Sequence, residues 1–235
     1  FTATGVETVR EMKDRTEKMK IMALSAGGMN TFGDWTVDYR VSYSKAEEDT
    51  PFDFETVYEF DDTPAIAFLD TKSLPRHELV SGLDPADAAN YVFDGIELAE
   101  QLVEEDDLSG EVNFRYELAG AGFKAVQFGA LYRQKDKESD LEVFKDDDNP
   151  SEVDTLDGFV YSSPRDPYKS GLPYVDPGYT AFFKENRDAF AMERDEEDSR
   201  VEDFDSEEDV LAVYIMGEME FSGWDVIAGV RVEDT

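Results

Sequence analysis

Trp35, Val37, Tyr39, Val41 and Tyr43 alternate without a slip with Thr36, Asp38, Arg40, Ser42 and Ser44. A two-residue repeat sends successive side chains to opposite faces, so residues 35–44 predict a β-strand with one apolar and one wet face. The pattern returns in pairs separated by short turns. Hairpin one covers 7–46. Its first strand sharpens at Met19, Ile21 and Ala23 against Lys18, Lys20 and Met22, and Gly27, Gly28, Asn30 and Gly33 mark its turn. Hairpin two covers 108–137: Val112, Phe114, Tyr116 and Leu118 alternate with Glu111, Asn113, Arg115 and Glu117, and Ala119–Gly122 is the turn. Val126, Phe128, Ala130 and Tyr132 then continue, and the strand runs on into the charged Lys135–Asp140. Hairpin three covers 208–235, with Leu211, Val213, Ile215 and Met219 before the Phe221-Ser222-Gly223 turn and Trp224, Val226, Ala228, Val230 and Val232 after it.

Two long excursions separate the pairs, residues 47–106 and 138–207. The first holds Pro51, Pro64, Pro75 and Pro85, which argue against central strands. Asp84-Pro85 followed by Ala86–Ala89 predicts a short helix with an Asp cap, and Ile96–Glu105 reads as a short helix or an extended lid. In the second, 145–177 is irregular, 178–194 has the spacing of an amphipathic helix through Tyr179, Phe182, Phe183, Phe190 and Met192, and 195–209 is a solvated acidic run. Loops of that length call for a functional explanation. Short turns at one end and long loops at the other form the layout of an outer-membrane β-barrel wall. The predicted fold is therefore all-β: one partial barrel over 1–235, about six antiparallel strands, with long extracellular loops containing short helices. Trp35, Tyr43, Tyr132 and Trp224 fit the interfacial aromatic girdles of such a wall. The same alternation also fits a soluble antiparallel sheet packed on a core.

Charge narrows the choice of partners. Against 22 basic side chains stand 57 acidic ones, for a formal net charge of −35. No basic patch is large enough to bind a phosphate backbone, so nucleic acid is excluded as a partner. Aromatic residues make up 13% of the chain, which argues for order despite the acidity. A salt-adapted source is a second reason for the acid excess. With no cysteine, no disulfide framework or thiolate metal site exists. No apolar run approaches the about 18 residues of a transmembrane helix. The start at Phe1, without a signal peptide, reads as a processed or excised piece of a longer protein.

Candidate chemistry is sparse. His77 is the single histidine and sits in a Pro-rich segment without a nucleophile pattern, so no enzymatic role is expected. Asp146-Asp147-Asp148 and Asp195–Asp198 offer oxygen ligands of the kind Ca²⁺ takes, but their spacing is not that of a calcium loop; a solvated acidic surface is the expected reading, with Ca²⁺ the one cofactor left open. The stronger lead is the aromatic density of the loops, with Phe54, Tyr58, Tyr161, Tyr168 and Tyr174 as substrate-binding candidates: flat rings beside acidic acceptors suit sugars. The same rings would also serve to pack the loops together.

The run Lys18–Lys45, with its Gly27-Gly28, Phe32–Tyr39 and Ser42–Glu47, and the runs Tyr91–Asp94 with Ile96–Leu98, Phe128–Lys137, Asp209–Gly217 and Val226–Glu233 resemble barrel strands of proteobacterial TonB-dependent receptors. The last is similar to a "GGVRYE" strand, departing from it at Ala228 and Val232. The resemblance implies an active importer in the Gram-negative outer membrane, a barrel of about 22 strands around a plug and driven by the TonB energy complex. This chain would supply barrel strands but neither plug nor TonB box. Its implied partners are the remaining strands and plug, the TonB complex, the lipid bilayer and a small-molecule substrate, an oligosaccharide first and a ferric siderophore second. Two open sheet edges would pair with other strands of the receptor or lead fragments to self-associate. The alternative is a soluble acidic β-sheet binding module of a secreted or salt-adapted protein.

Overall fold

The computed structural model describes residues 2–5, 7–62, 65–70, 76–120, 122–147, 153–161 and 171–235. In chain order the strands are β1 (Thr2–Ala3), β2 (Val9–Phe32), β3 (Trp35–Phe60), β4 (Ala65–Asp70), β5 (Arg76–Ser81), β6 (Tyr91–Glu117), β7 (Phe123–Asp146), β8 (Val160–Tyr161), β9 (Tyr174–Val175), β10 (Glu193–Arg194), β11 (Phe204–Phe221) and β12 (Trp224–Asp234). Two short helices, α1 (Tyr179–Glu185) and α2 (Asp198–Val201), complete the set with three 3₁₀ turns. The main sheet has the order β12-β11-β7-β6-β3-β2, with β10 also paired to β7. It does not close on itself: β2 and β12 are its ends. Separate small sheets are β1-β4-β5 and β8-β9. The protein is all-β, with more strands than the six predicted.

The three hairpins are present, but the first excursion is largely strand and the second begins and ends in strand. β3 continues to Phe60, β6 already begins at Tyr91, and β7 runs to Asp146. The loop boundaries at 47–106 and 138–207 are corrected accordingly. The cause is cross-strand pairing between residues that show no apolar period. Lys20 meets Glu47 at 2.5 Å, Lys45 meets Glu104 at 2.7 Å, and Lys135 meets Glu105 at 3.0 Å. Opposite charges on facing strands each contribute about 0.2–1 kcal/mol. Pro51 lies inside β3, against the expectation, while Pro85 lies in a turn and Pro64 and Pro75 fall outside the described residues. Ile96–Glu105 is strand within β6.

Turn chemistry sets the hairpins. Gly33, at φ +61°, opens the two-residue connection between Phe32 and Trp35, so the turn is Gly33-Asp34 and not Gly27-Gly28. Ser222 and Gly223, at φ 51° and 81°, make the β11–β12 turn, with Phe221 opposite Trp224. The helices are shorter than predicted. The Asp84-Pro85 segment is a turn in which Asp84 accepts from the Ala86 N–H; one 3₁₀ turn at Ala88–Asn90 follows, capped by Asp87. Residues 178–194 hold the seven residues of α1 and a 3₁₀ turn, not one long helix. The acidic run 195–209 contains α2 and the start of β11.

Contacts divide the chain into two units. Unit 1 comprises 1–17, 50–101 and 141–201, and has a closed core of Phe54, Tyr58, Phe60, Tyr91, Phe93, Ile96, Leu98, Val153, Leu156, Val175, Tyr179, Phe183 and Phe190. Its rings pack in the stacked and edge-on geometries that aromatic quadrupoles favour, Phe54 on Phe183 at 4.5 Å and Tyr58 edge-on to Phe93 at 5.8 Å. Unit 2 comprises 18–49, 102–140 and 202–235. It is a single layer formed by parts of β2, β3, β6 and β7 with β11 and β12. Among its described residues, the buried hydrophobic ones are only Ala125, Val210 and Ala212.

Candidate ligand-facing surfaces

The two faces of unit 2 differ in chemistry. Register fixes which residues share a face: Val213 lies opposite both Val232 and Ala130, Ile215 opposite Val230 and Phe128, and Leu211 opposite Tyr132. With Trp35, Val37, Tyr39 and Val41 of β3 and Phe114 of β6, these form an apolar face. Among the described residues of unit 2, no second layer covers it. Ile215 is 53% exposed, Val230 67% and Val41 56%; Val37, Val112 and Phe114 are half-buried by their neighbours in the same sheet.

Aromatic residues bound this face at both ends. Beside the tight turns stand Phe32, Trp35, Tyr116, Phe123, Phe221 and Trp224, with Trp35 packed on Tyr116 at 4.7 Å. At the other end the Tyr43 and Tyr132 hydroxyls donate hydrogen bonds to Asp106 and Asp209 respectively. Beyond Tyr43 the same side of β3 turns charged, with Lys45, Glu47 and Asp49 in ion pairs.

The opposite face is polar and cross-braced. Asn113 donates to Asp38 at 2.9 Å and accepts from the Tyr214 hydroxyl at 2.9 Å, so one amide links β3, β6 and β11. It does so across Gly129 of β7, where a Cβ would stand 2.7 Å from both the Tyr214 ring and the Val112 carbonyl oxygen. Arg115 grips Glu218 with both terminal nitrogens, at 2.5 and 2.8 Å, and pairs with Glu117. Ser42 bonds Ser109 at 2.6 Å, and Arg133 holds Asp107.

The predicted substrate residues separate into two groups. Phe54 and Tyr58 have no exposed surface and belong to the core of unit 1. Tyr161 and Tyr174 lie directly opposite each other in the β8–β9 ladder, 41% and 36% exposed. Tyr168 lies outside the described residues. Sequence spacing alone did not bring Tyr161 and Tyr174 together; their short strands are too brief to show a period.

The acidic clusters are engaged internally. Asp195 accepts from the backbone N–H groups of Glu197 and Asp198, each at 3.0 Å, and these bonds with the Lys145 ammonium hold its carboxyl below the usual range. Asp146 accepts from the Ala191 N–H at 2.7 Å. Arg194 holds Glu142 below the usual range. Among the described residues no group of three or more His, Cys, Asp or Glu side chains is arranged to hold a metal ion, and Asp148 lies outside them. His77 lies in β5. No described helix is long and apolar enough to cross a membrane, which bears only on helices. Compared with family models, curated proteins and solved structures, the chain matches none.

Proposed function

We propose that the chain is part of the wall of an outer-membrane β-barrel in a Gram-negative cell, belonging to an active transporter of the TonB-dependent kind. One observation carries this reading: unit 2 is a single sheet layer whose apolar face is uncovered and framed at both ends by aromatic residues. A soluble domain buries such a face under a second layer. Full transfer of a Val, Leu or Ile side chain out of water gains about 1.5–3 kcal/mol, so hydrocarbon is the environment that stabilises Leu211, Ile215, Val230 and Val232. From Trp35 to Tyr43 the apolar row matches the roughly 9–11 residues that a tilted strand uses to cross a bilayer. The polar face then looks onto the lumen, where the Asp38–Asn113–Tyr214 and Arg115–Glu218 contacts are tolerated and hold the strands in register. The open edges at β2 and β12 pair with further strands of the same receptor. The assignment to TonB-dependent import, and with it the plug and the energy complex as partners, rests on the strand resemblances in the sequence.

The substrate class proposed is a neutral oligosaccharide. Tyr161 and Tyr174 offer two adjacent exposed rings, and a net charge of −35 disfavours anions. A cationic or ferric-siderophore cargo is the second candidate.

Trp35 and Trp224 are the chain's two tryptophans, and both belong to the apolar face. Reconstituted into vesicles with brominated acyl chains, the protein is expected to lose most of its tryptophan fluorescence, and Trp35→Phe and Trp224→Phe to report each position separately. Unquenched fluorescence, together with a compact monomer in detergent-free buffer, would overturn the membrane reading in favour of a soluble acidic binding module.

A further inference from the structure

Three hydroxyls in the core of unit 1 make no hydrogen bond to any described residue. Thr56 and Tyr58 come from β3 and Tyr179 from the first residue of α1; each of the three residues has zero exposure. Thr56 Oγ1, Tyr58 Oη and Tyr179 Oη are all sealed from solvent without a partner among the described residues. Thr56 and Tyr58, two residues apart, share one face of β3, and the Tyr58 and Tyr179 rings meet edge to face with centroids 6.2 Å apart. All three hydroxyls therefore lie in the same part of the core, each without a hydrogen-bond partner among the described residues.

An unpaired buried hydroxyl is costly, and three in contact are rarely left so. We propose that Thr56, Tyr58 and Tyr179 together bind one ordered water molecule that fastens α1 to β3. A water there reaches three polar groups, the usual number for a buried water. The chemistry favours a neutral ligand over an ion. Burial pushes the Tyr58 and Tyr179 phenols above the usual range, so both keep their protons and supply no negative charge to a cation. The Asp146 carboxylate acts on Tyr179 and opposes an anion. The enclosure by Phe93, Phe54 and Phe159 gives the water slow exchange with solvent.

Oxygen-17 relaxation dispersion on the intact chain counts long-lived internal waters. The wild type is expected to carry one such water that Tyr58→Phe, Tyr179→Phe and Thr56→Val each remove or shorten in residence. The same variants separate the energetics by sign. If the water is bound, losing one of its partners lowers the melting midpoint by about 2–4 °C. If the hydroxyls are simply unpaired, replacing Tyr by Phe removes a desolvated group and raises the midpoint. A dispersion profile unchanged in all three variants, or a higher midpoint in both Phe variants, overturns the proposal.

Discussion

Gly129 shows how one missing side chain organises a polar face. Asn113 of β6 and Tyr214 of β11 bond at 2.9 Å across β7, and only a glycine leaves room beneath them. A Cβ there would also press on the backbone at the Val112 carbonyl, which cannot rotate away. Gly129→Val is therefore expected to destabilise the sheet by about 1–3 kcal/mol, read as a lower denaturant midpoint. Tyr214→Phe, which keeps the ring and removes one hydrogen bond, is expected to cost about 0.5–1.5 kcal/mol. An unchanged midpoint in the Val variant would mean that the strands separate there at little cost. Gly28 plays a similar part under the Tyr39 ring, where a Cβ would come within 2.7 Å of the hydroxyl oxygen. That is why the glycine pair at 27–28 lies inside a strand although it reads as a turn.

The 193–201 segment is held chiefly by carboxylates. Glu142 and Glu196 bind Arg194, while Asp195 takes two backbone N–H groups and shares Lys145 with Asp198. The carboxyls of Glu142, Asp195 and Glu196 sit below their ordinary range in the folded protein. A carboxyl with a depressed folded value stabilises above its unfolded pKa, near about 4, and that contribution disappears as pH falls through the folded value. Between neutral pH and about pH 5 the segment should stay protected; below about pH 4, amide exchange at 195–201 is expected to accelerate before that of β11 and β12. Simultaneous loss of both would show that the carboxylates do not hold the segment separately. The β8–β9 ladder makes a distinct prediction. With Tyr161 and Tyr174 side by side and exposed, the paired change Tyr161→Ala, Tyr174→Ala is expected to weaken oligosaccharide binding about tenfold, or ~1.4 kcal/mol. Equal affinity by calorimetry would remove these tyrosines from the site.

Charge acts on the whole chain. Its 57 carboxylates far outnumber its 22 cations, so many acids repel one another even where ion pairs are dense. Added salt screens that repulsion, with a Debye length of about 10 Å at 0.1 M and 3 Å at 1 M. The melting midpoint is expected to rise between low salt and about 1 M KCl, and a flat or falling profile would show that the cross-strand pairs outweigh the excess charge. The open edges predict a second global property. β12 is exposed along its entire length, with one row of backbone groups unpaired, so the isolated chain should associate in a concentration-dependent way, visible by light scattering.

Much of unit 2 was legible from residue order alone. The two-residue period put Trp35, Val213 and Val230 on one side and Asp38, Arg115 and Arg231 on the other, and Ser222-Gly223 located the third hairpin's turn, because those signals are local, whereas Gly27-Gly28 drew the first turn too early. The charged continuations of β3, β6 and β7 were not legible: Lys45 needs Glu104 and Lys135 needs Glu105, partners far apart in the chain that no apolar rhythm announces. Nor could composition sort the loop aromatics. Phe54 and Tyr58 look no different in sequence from Tyr161 and Tyr174, yet α1 closes over the first pair while the second stays at the surface. Alternation is set by backbone geometry at each step; burial depends on what the rest of the chain brings against a side chain, and only the tertiary arrangement decides that.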